Sequence, residues 1–107
     1  MTNRDLVLDG FREFAAGNTE ILRTLLHEDF LEHSPGNPSG RDAFIEFIRT
    51  APVAGARLDL QHVIAEGDLV ALHYLMDEKQ AVVDIWRLEN GQIVEHWDVV
   101  QPWPGGA

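Results

Sequence analysis

The apolar residues of this chain change period halfway along, and that change limits the folds open to it. In the first half they recur at helical spacing. Val7, Phe11 and Phe14 stand at i, i+4 and i+7, with Leu8 and Ala15 beside them. Asn3 is placed to cap this first helix and Gly17 to end it. Asn18 is placed to cap a second helix bearing Ile21, Leu22, Leu25 and Leu26, and Phe30 and Leu31 follow as a short extended piece. The run Ser34-Pro35-Gly36-Asn37-Pro38-Ser39-Gly40 is a loop by composition. Ser39 and Asp42 have the spacing of a capping box, which predicts a third helix carrying Phe44, Phe47 and Ile48 and stopped by Pro52. From Leu58 on, the pattern is that of strands. Leu58, Leu60, His62 and Ile64 alternate with Asp59, Gln61, Val63 and Ala65. Apolar runs then extend over 69–76, 81–88 and 93–101. Turn signals separate them at Gly67-Asp68, at Glu78-Lys79 and at Asn90-Gly91, the last a strong hairpin dipeptide. Helices followed by a four-strand meander make an α+β domain, a single one over 1–107, with 102–107 expected as a loose tail.

Charge narrows the partners. Eight Lys and Arg against 18 Asp and Glu leave a formal charge of −10, which repels nucleic acid and anionic membranes and disfavours phosphate-rich substrates. There is no cysteine, so disulfides, thiolate nucleophiles and iron–sulfur clusters are excluded. No long apolar run opens the chain, so neither a signal peptide nor a membrane span is expected, and a cytoplasmic setting is the default.

The turns also predict a register. Across a two-residue hairpin the index sum of paired residues is constant. Such turns at the three dipeptides set His62 opposite His73, His73 opposite Asp84, and Asp84 opposite Trp97. One transverse row of four side chains then lies on one sheet face, among Leu69, Ala71, Leu75, Val82, Trp86 and Leu88. A polar cluster in an apolar surface is where a ligand pocket forms under covering helices. The other face is apolar too, through Val70, Leu72, Tyr74, Val83, Ile85 and Val100, with His96, Asp98 and Arg87 as rim or interface groups. Three helices can cover one face, so the second is expected to pair with a second copy as a homodimer.

Four stretches together resemble the SnoaL-like polyketide cyclase family of the nuclear transport factor 2-like superfamily. They are Phe30-Leu31-Glu32-His33-Ser34-Pro35, Val63-Ile64-Ala65-Glu66-Gly67-Asp68-Leu69-Val70, Val83-Asp84-Ile85-Trp86-Arg87 and Asn90-Gly91-Gln92-Ile93-Val94-Glu95-His96-Trp97-Asp98. The resemblance implies a cone-shaped (cystatin-like) α+β fold, in which helices pack on a curved antiparallel sheet and a pocket opens between them. It further implies an Asp and a His as acid/base partners, matched here by Asp84 and His73, with His33 at a polar position by the pocket mouth. The short connection from Met76 to Gln80 departs from what large polycyclic substrates would require.

The chemistry expected is enolisation, leading to aldol-type cyclisation or isomerisation of a small apolar carbonyl compound. One carboxylate in a dry pocket can remove a proton beside a carbonyl and return it, and neither an organic cofactor nor a metal is called for. The catalytic candidates are Asp84 and His73; His33, Trp86, Trp97 and His62 are the substrate-binding candidates. A facial metal site from His62, His73 and Asp84 is the minor alternative. Tyr74, by strand parity, is set away from Asp84. The competing reading makes His73 and Asp84 a structural pair, and the chain a non-catalytic dimeric domain that binds a small apolar ligand.

Overall fold

The computed structural model describes residues 1–103. Helix α1 runs over Asn3–Ala15, capped by Thr2 rather than Asn3: the Thr2 hydroxyl accepts from the Asp5 N–H, and the Asp5 carboxylate accepts from the Thr2 N–H. Helix α2, Ile21–Leu25, begins after Glu20 and not after Asn18, and has no side-chain cap. Its successor β1 spans Leu26–Glu32, a longer strand than the short piece expected at Phe30 and Leu31. Helix α3, Arg41–Ile48, starts from Gly40 at φ 91°, a left-handed backbone that a glycine adopts without strain. Ser39 is therefore no helix cap. Its hydroxyl instead accepts from the Glu32 N–H and fastens the 33–40 loop to the end of β1.

Four strands follow: β2 Leu58–Glu66, β3 Leu69–Met76, β4 Gln80–Glu89 and β5 Gln92–Pro102. They form the expected antiparallel meander, and β1 adds to it in parallel with β5, so the sheet has five strands in the order β1-β5-β4-β3-β2. Pro102 closes β5 and the Trp103 N–H donates to the Lys79 carbonyl at 2.7 Å, so the chain is still tied to the sheet where a loose tail was expected. The remainder of that expected tail, 104–107, lies outside the described residues.

Two local irregularities overturn the predicted register. The β3–β4 connection uses three residues, Asp77 to Lys79, between the paired Met76 and Gln80. Asp77 and Glu78 both take positive φ, 54° and 58°, to make it. The shift by one pairs Leu72 with Asp84 and His73 with Val83, so His73 and Asp84 point to opposite faces. Across the Asn90-Gly91 turn, Glu89–Gln92 and Leu88–Ile93 pair as expected. Val94 is then an extra residue, and beyond it Trp86 faces His96, Ile85 faces Trp97 and Asp84 faces Asp98. His62 does face His73.

The inner face now carries Val70, Leu72, Tyr74, Val82, Asp84, Trp86 and His96. The helices cover it, α1 lying over β2 and β3 and α3 over β1. Phe30, Leu26, Ile45, Leu72 and Val70 are wholly buried there. Gly10 lets α2 approach α1, because a Cβ at that position would collide with Leu25 Cδ1. The outer face leaves Ile64 and Val99 about two-thirds exposed, at 65% and 64%.

Candidate functional site

A cavity of about 340 Å³ opens between the helices and the inner face. Most of its wall is apolar, from Phe11, Phe14, Phe44 and Phe47 among others; most of its polar groups gather where β4, β5 and the end of β1 meet, with Tyr74 on β3 beside them and Gln80 apart at the start of β4. The centre of that polar end is His96. Its Nδ1 lies 2.8 Å from Glu32 Oε1 and its Nε2 lies 2.9 Å from Asp84 Oδ1. Tyr74 donates its hydroxyl to the other Asp84 oxygen at 2.8 Å. Glu32, His96, Asp84 and Tyr74 thus form one hydrogen-bonded chain across four strands, all four buried.

Each link has a local cause. Glu32 is the last residue of β1, whose parallel register against β5 sets it beside His96. Its carboxylate also accepts from the His33 and Ser34 N–H groups and from the Asn37 amide, so the 33–40 loop closes over it. The bulge at Val94 turns His96 and Asp98 inward. The three-residue turn at Asp77–Lys79 brings Tyr74 to the Asp84 side, contrary to its expected parity. Trp86 stacks on the His96 ring with centroids 3.8 Å apart, a cation–π contact when the ring is charged.

The electrostatics follow from the pairing. Burial alone would lower the His96 pKa, but the hydrogen bonds and charges of Asp84 and Glu32 outweigh it and push it up to about 9. His96 is therefore an imidazolium at neutral pH, both N–H groups donating. Burial pushes the Glu32 carboxyl up, and the His96 hydrogen bond and charge, with the Ser34 N–H and Asn37, hold it below the ordinary carboxylate value. Burial, and then the Asp84 carboxylate, raise the Tyr74 phenol, which stays a neutral donor.

Asp98 completes the cluster. It faces Asp84 across β4 and β5, and the Ser34 hydroxyl donates to its Oδ1 at 2.8 Å. Among the described residues no donor reaches its Oδ2. One donor atom each from Asp84, His96 and Asp98 lies within 4.8 Å of the others, a spacing that could hold a metal ion. An imidazolium bonded through both nitrogens has no lone pair to give, so such an ion would have the two carboxylates alone.

The expected site residues separate. Asp84 and Trp86 line the cavity; His73, His62, His33 and Trp97 do not. His62 and His73 stack on the outer face with their Nδ1 atoms 3.0 Å apart, so they make no facial set with Asp84. His33 stacks on Trp97 at 4.9 Å and pairs with Glu95 at 2.6 Å, which Arg87 also holds. Sequence reasoning missed Glu32, Tyr74, His96 and Asp98 as site residues. An index sum lower by one across β3–β4 and higher by one across β4–β5 would have found the last three. Nothing in the residue types marked the turn or the bulge that makes these two shifts.

This arrangement, a helix-covered curved sheet with acid and base groups at the end of an apolar cavity, defines a class of small pocket domains. The family model for the SnoaL-like domain matches residues 7–96, and the chain belongs to that family. Solved structures confirm the fold. An NTF2-like protein of unknown function from Burkholderia xenovorans is similar at TM-score 0.85 and 20% identity, over 98% of this chain and 86% of that one. IdmH from Streptomyces antibioticus, a proposed polyketide cyclase, is similar at TM-score 0.73 and 22% identity, over 94% and 93%. TsrD from Streptomyces laurentii is similar at TM-score 0.70 and 18% identity, over 94% and 92%. No curated protein matches the sequence. No helix among the described residues is long and apolar enough to cross a membrane.

Proposed function

We propose that this chain is a small-molecule enzyme that enolises a small, largely apolar carbonyl compound, leading to aldol-type cyclisation or isomerisation. One observation carries the reading: two carboxylates, Asp84 and Asp98, stand side by side at the polar end of an otherwise apolar cavity. They have different tasks. Both Asp84 oxygens already accept hydrogen bonds, so Asp84 anchors the His96 imidazolium and the Tyr74 hydroxyl. Asp98 has the open oxygen. It takes the proton from the carbon next to the substrate carbonyl, and the resulting enolate attacks a second carbonyl or is reprotonated elsewhere. The proton held on Asp98 returns to the product, so the cycle closes without a cofactor. The apolar wall keeps bulk water away from the enolate.

The test is hydrogen–deuterium exchange at the α-carbon of ketone probes in deuterated buffer. Wild-type protein is expected to accelerate it, and Asp98→Asn to reduce the acceleration by about 10²-fold or more, the range for losing a general base. Loss in Asp84→Asn with full retention in Asp98→Asn would move the proton shuttle to Asp84. A second reading is favoured by His96 itself, since a ring locked on both nitrogens is also what a purely structural network looks like. On that reading the domain binds a ligand without turnover, and probes bind with no exchange at all.

The outer face fits pairing with a second copy. Ile64, Leu69, Ala71 and Ile85, with Glu66, line a shallow, largely apolar groove there, and Val99 is largely exposed. Sedimentation is expected to give a dimer, and the double variant Ile64→Lys, Val99→Lys a monomer. A wild-type monomer at micromolar concentration would remove this proposal.

A further inference from the structure

The charge inventory of the cavity points to a class of ligand. Among the described residues the lining has three carboxylates, Glu32, Asp84 and Asp98, with one cation, His96, and no Lys or Arg. The imidazolium is spent between Glu32 and Asp84, both at hydrogen-bond distance. Among the described residues Asp98 is left with a single neutral donor, the Ser34 hydroxyl, in a part-buried position. A carboxylate facing a largely apolar space without a cation is costly, and a ligand cation relieves that cost. The spacing suits one. An ammonium nitrogen forms charge-assisted bonds of about 2.7–2.9 Å, so it bridges two oxygens up to about 5 Å apart. The oxygens that Asp84 and Asp98 offer lie within 4.8 Å of each other.

We propose that the cavity selects ligands with an apolar body and a protonated amine, the ammonium seated between Asp98 and Asp84 and the body against the phenylalanine-lined wall. Anionic ligands, carboxylates and phosphates among them, are rejected by the same two aspartates. A metal ion competes poorly for this place, because the third group of the cluster, His96, has both ring nitrogens engaged. The inference rests on the reading of the cavity as the ligand site and does not depend on turnover. If the enzyme reading holds, the carbonyl substrate carries a basic nitrogen. A cation close to the carbonyl acidifies the neighbouring C–H and stabilises the enolate, which offsets the basicity that Asp98 loses to the same ion pair.

Three probes of one shape decide it: 2-naphthylmethylamine, 2-naphthylmethanol and 2-naphthoate, titrated at neutral pH into ¹⁵N-labelled protein and followed by NMR. The amine is expected to bind at least about tenfold more tightly than the alcohol, as one charge-assisted bond allows, with the naphthoate weakest. The amine should also shift the Trp86 indole N–H signal. Asp98→Asn, its fold checked by the same spectra, should bring amine and alcohol to within about threefold. Equal binding of amine and alcohol, or tightest binding of naphthoate, overturns the proposal and leaves the ligand-site reading standing. An amine that shifts only surface signals, or whose advantage survives Asp98→Asn, also overturns it. If none of the three binds, the cavity is no site for ligands of this size and both readings fall. Should Asp98→Asn not fold, the order of the three probes on the wild type decides alone.

Discussion

Replacing His96 with alanine is expected to remove about 3–5 kcal/mol of stability, the cost of leaving buried charge without its partner. The wild-type ring stands between Glu32 and Asp84 at 2.8 and 2.9 Å, and the three side chains are 4%, 0% and 10% exposed. Without it, two carboxylates remain in a water-poor core with no cation between them. The Trp86 ring also loses its stacked partner. For a domain of this size each kcal/mol corresponds to about 4–8 °C, so the melting temperature should fall by roughly 12–40 °C. Urea unfolding followed by circular dichroism measures it. A loss below about 1 kcal/mol would mean that water already screens the trio, and that the chain from Glu32 to Tyr74 is not the buried network described above.

The second large effect is on pH. The folded-state pKa of His96 is raised from 6.5 to about 9, so the folded protein holds that proton more tightly than the unfolded chain does. The resulting stabilisation is complete below pH 6.5 and is lost as pH rises through about 9. Its size is on the order of 3 kcal/mol. Glu32 acts in the opposite direction. Its lowered pKa gives stability that is present above its ordinary value of 4.5 and is lost as pH falls through the folded value. Stability should therefore peak between about pH 4.5 and 6.5, on the acid side of neutral. Urea midpoints measured from about pH 5 to pH 10 test the alkaline side, and His96→Ala should lack the alkaline fall. A wild-type curve that is flat between pH 6.5 and 9 would show that the imidazole is neutral in the folded protein.

Much of the architecture was legible because it depends on local pattern. The helical spacing of Val7, Phe11 and Phe14 and the alternation from Leu58 on correspond to α1 and to the meander. Asn90-Gly91 marks the β4–β5 hairpin and its first two pairs correctly. The parallel pairing of β1 with β5 was not legible. It joins Leu26 to Ile93 and Glu32 to His96, residues more than sixty positions apart, and no turn connects them. The candidate site was legible only in part. Asp84 and Trp86 were singled out and do line the cavity, whereas Glu32, Tyr74, His96 and Asp98 were not.

The reason is that strand parity is cheap to alter and expensive to misread. One extra residue at the β3–β4 turn sets His73 on the face opposite Asp84, and one at Val94 sets His96 rather than Trp97 on the Asp84 face. Hydrophobic pattern usually forbids such a slip, since it would expose the core face. Here it does not, because β3 is apolar on both sides: Val70, Leu72 and Tyr74 on one, Leu69, Ala71 and Leu75 on the other. By itself the amino-acid sequence determined an α+β domain with a β-meander, an acidic surface and a set of polar residues within it. The tertiary structure alone decided which of those residues meet, because helices can cover only one of two apolar faces, and the turn and the bulge choose which one carries His96 and Asp98 inward.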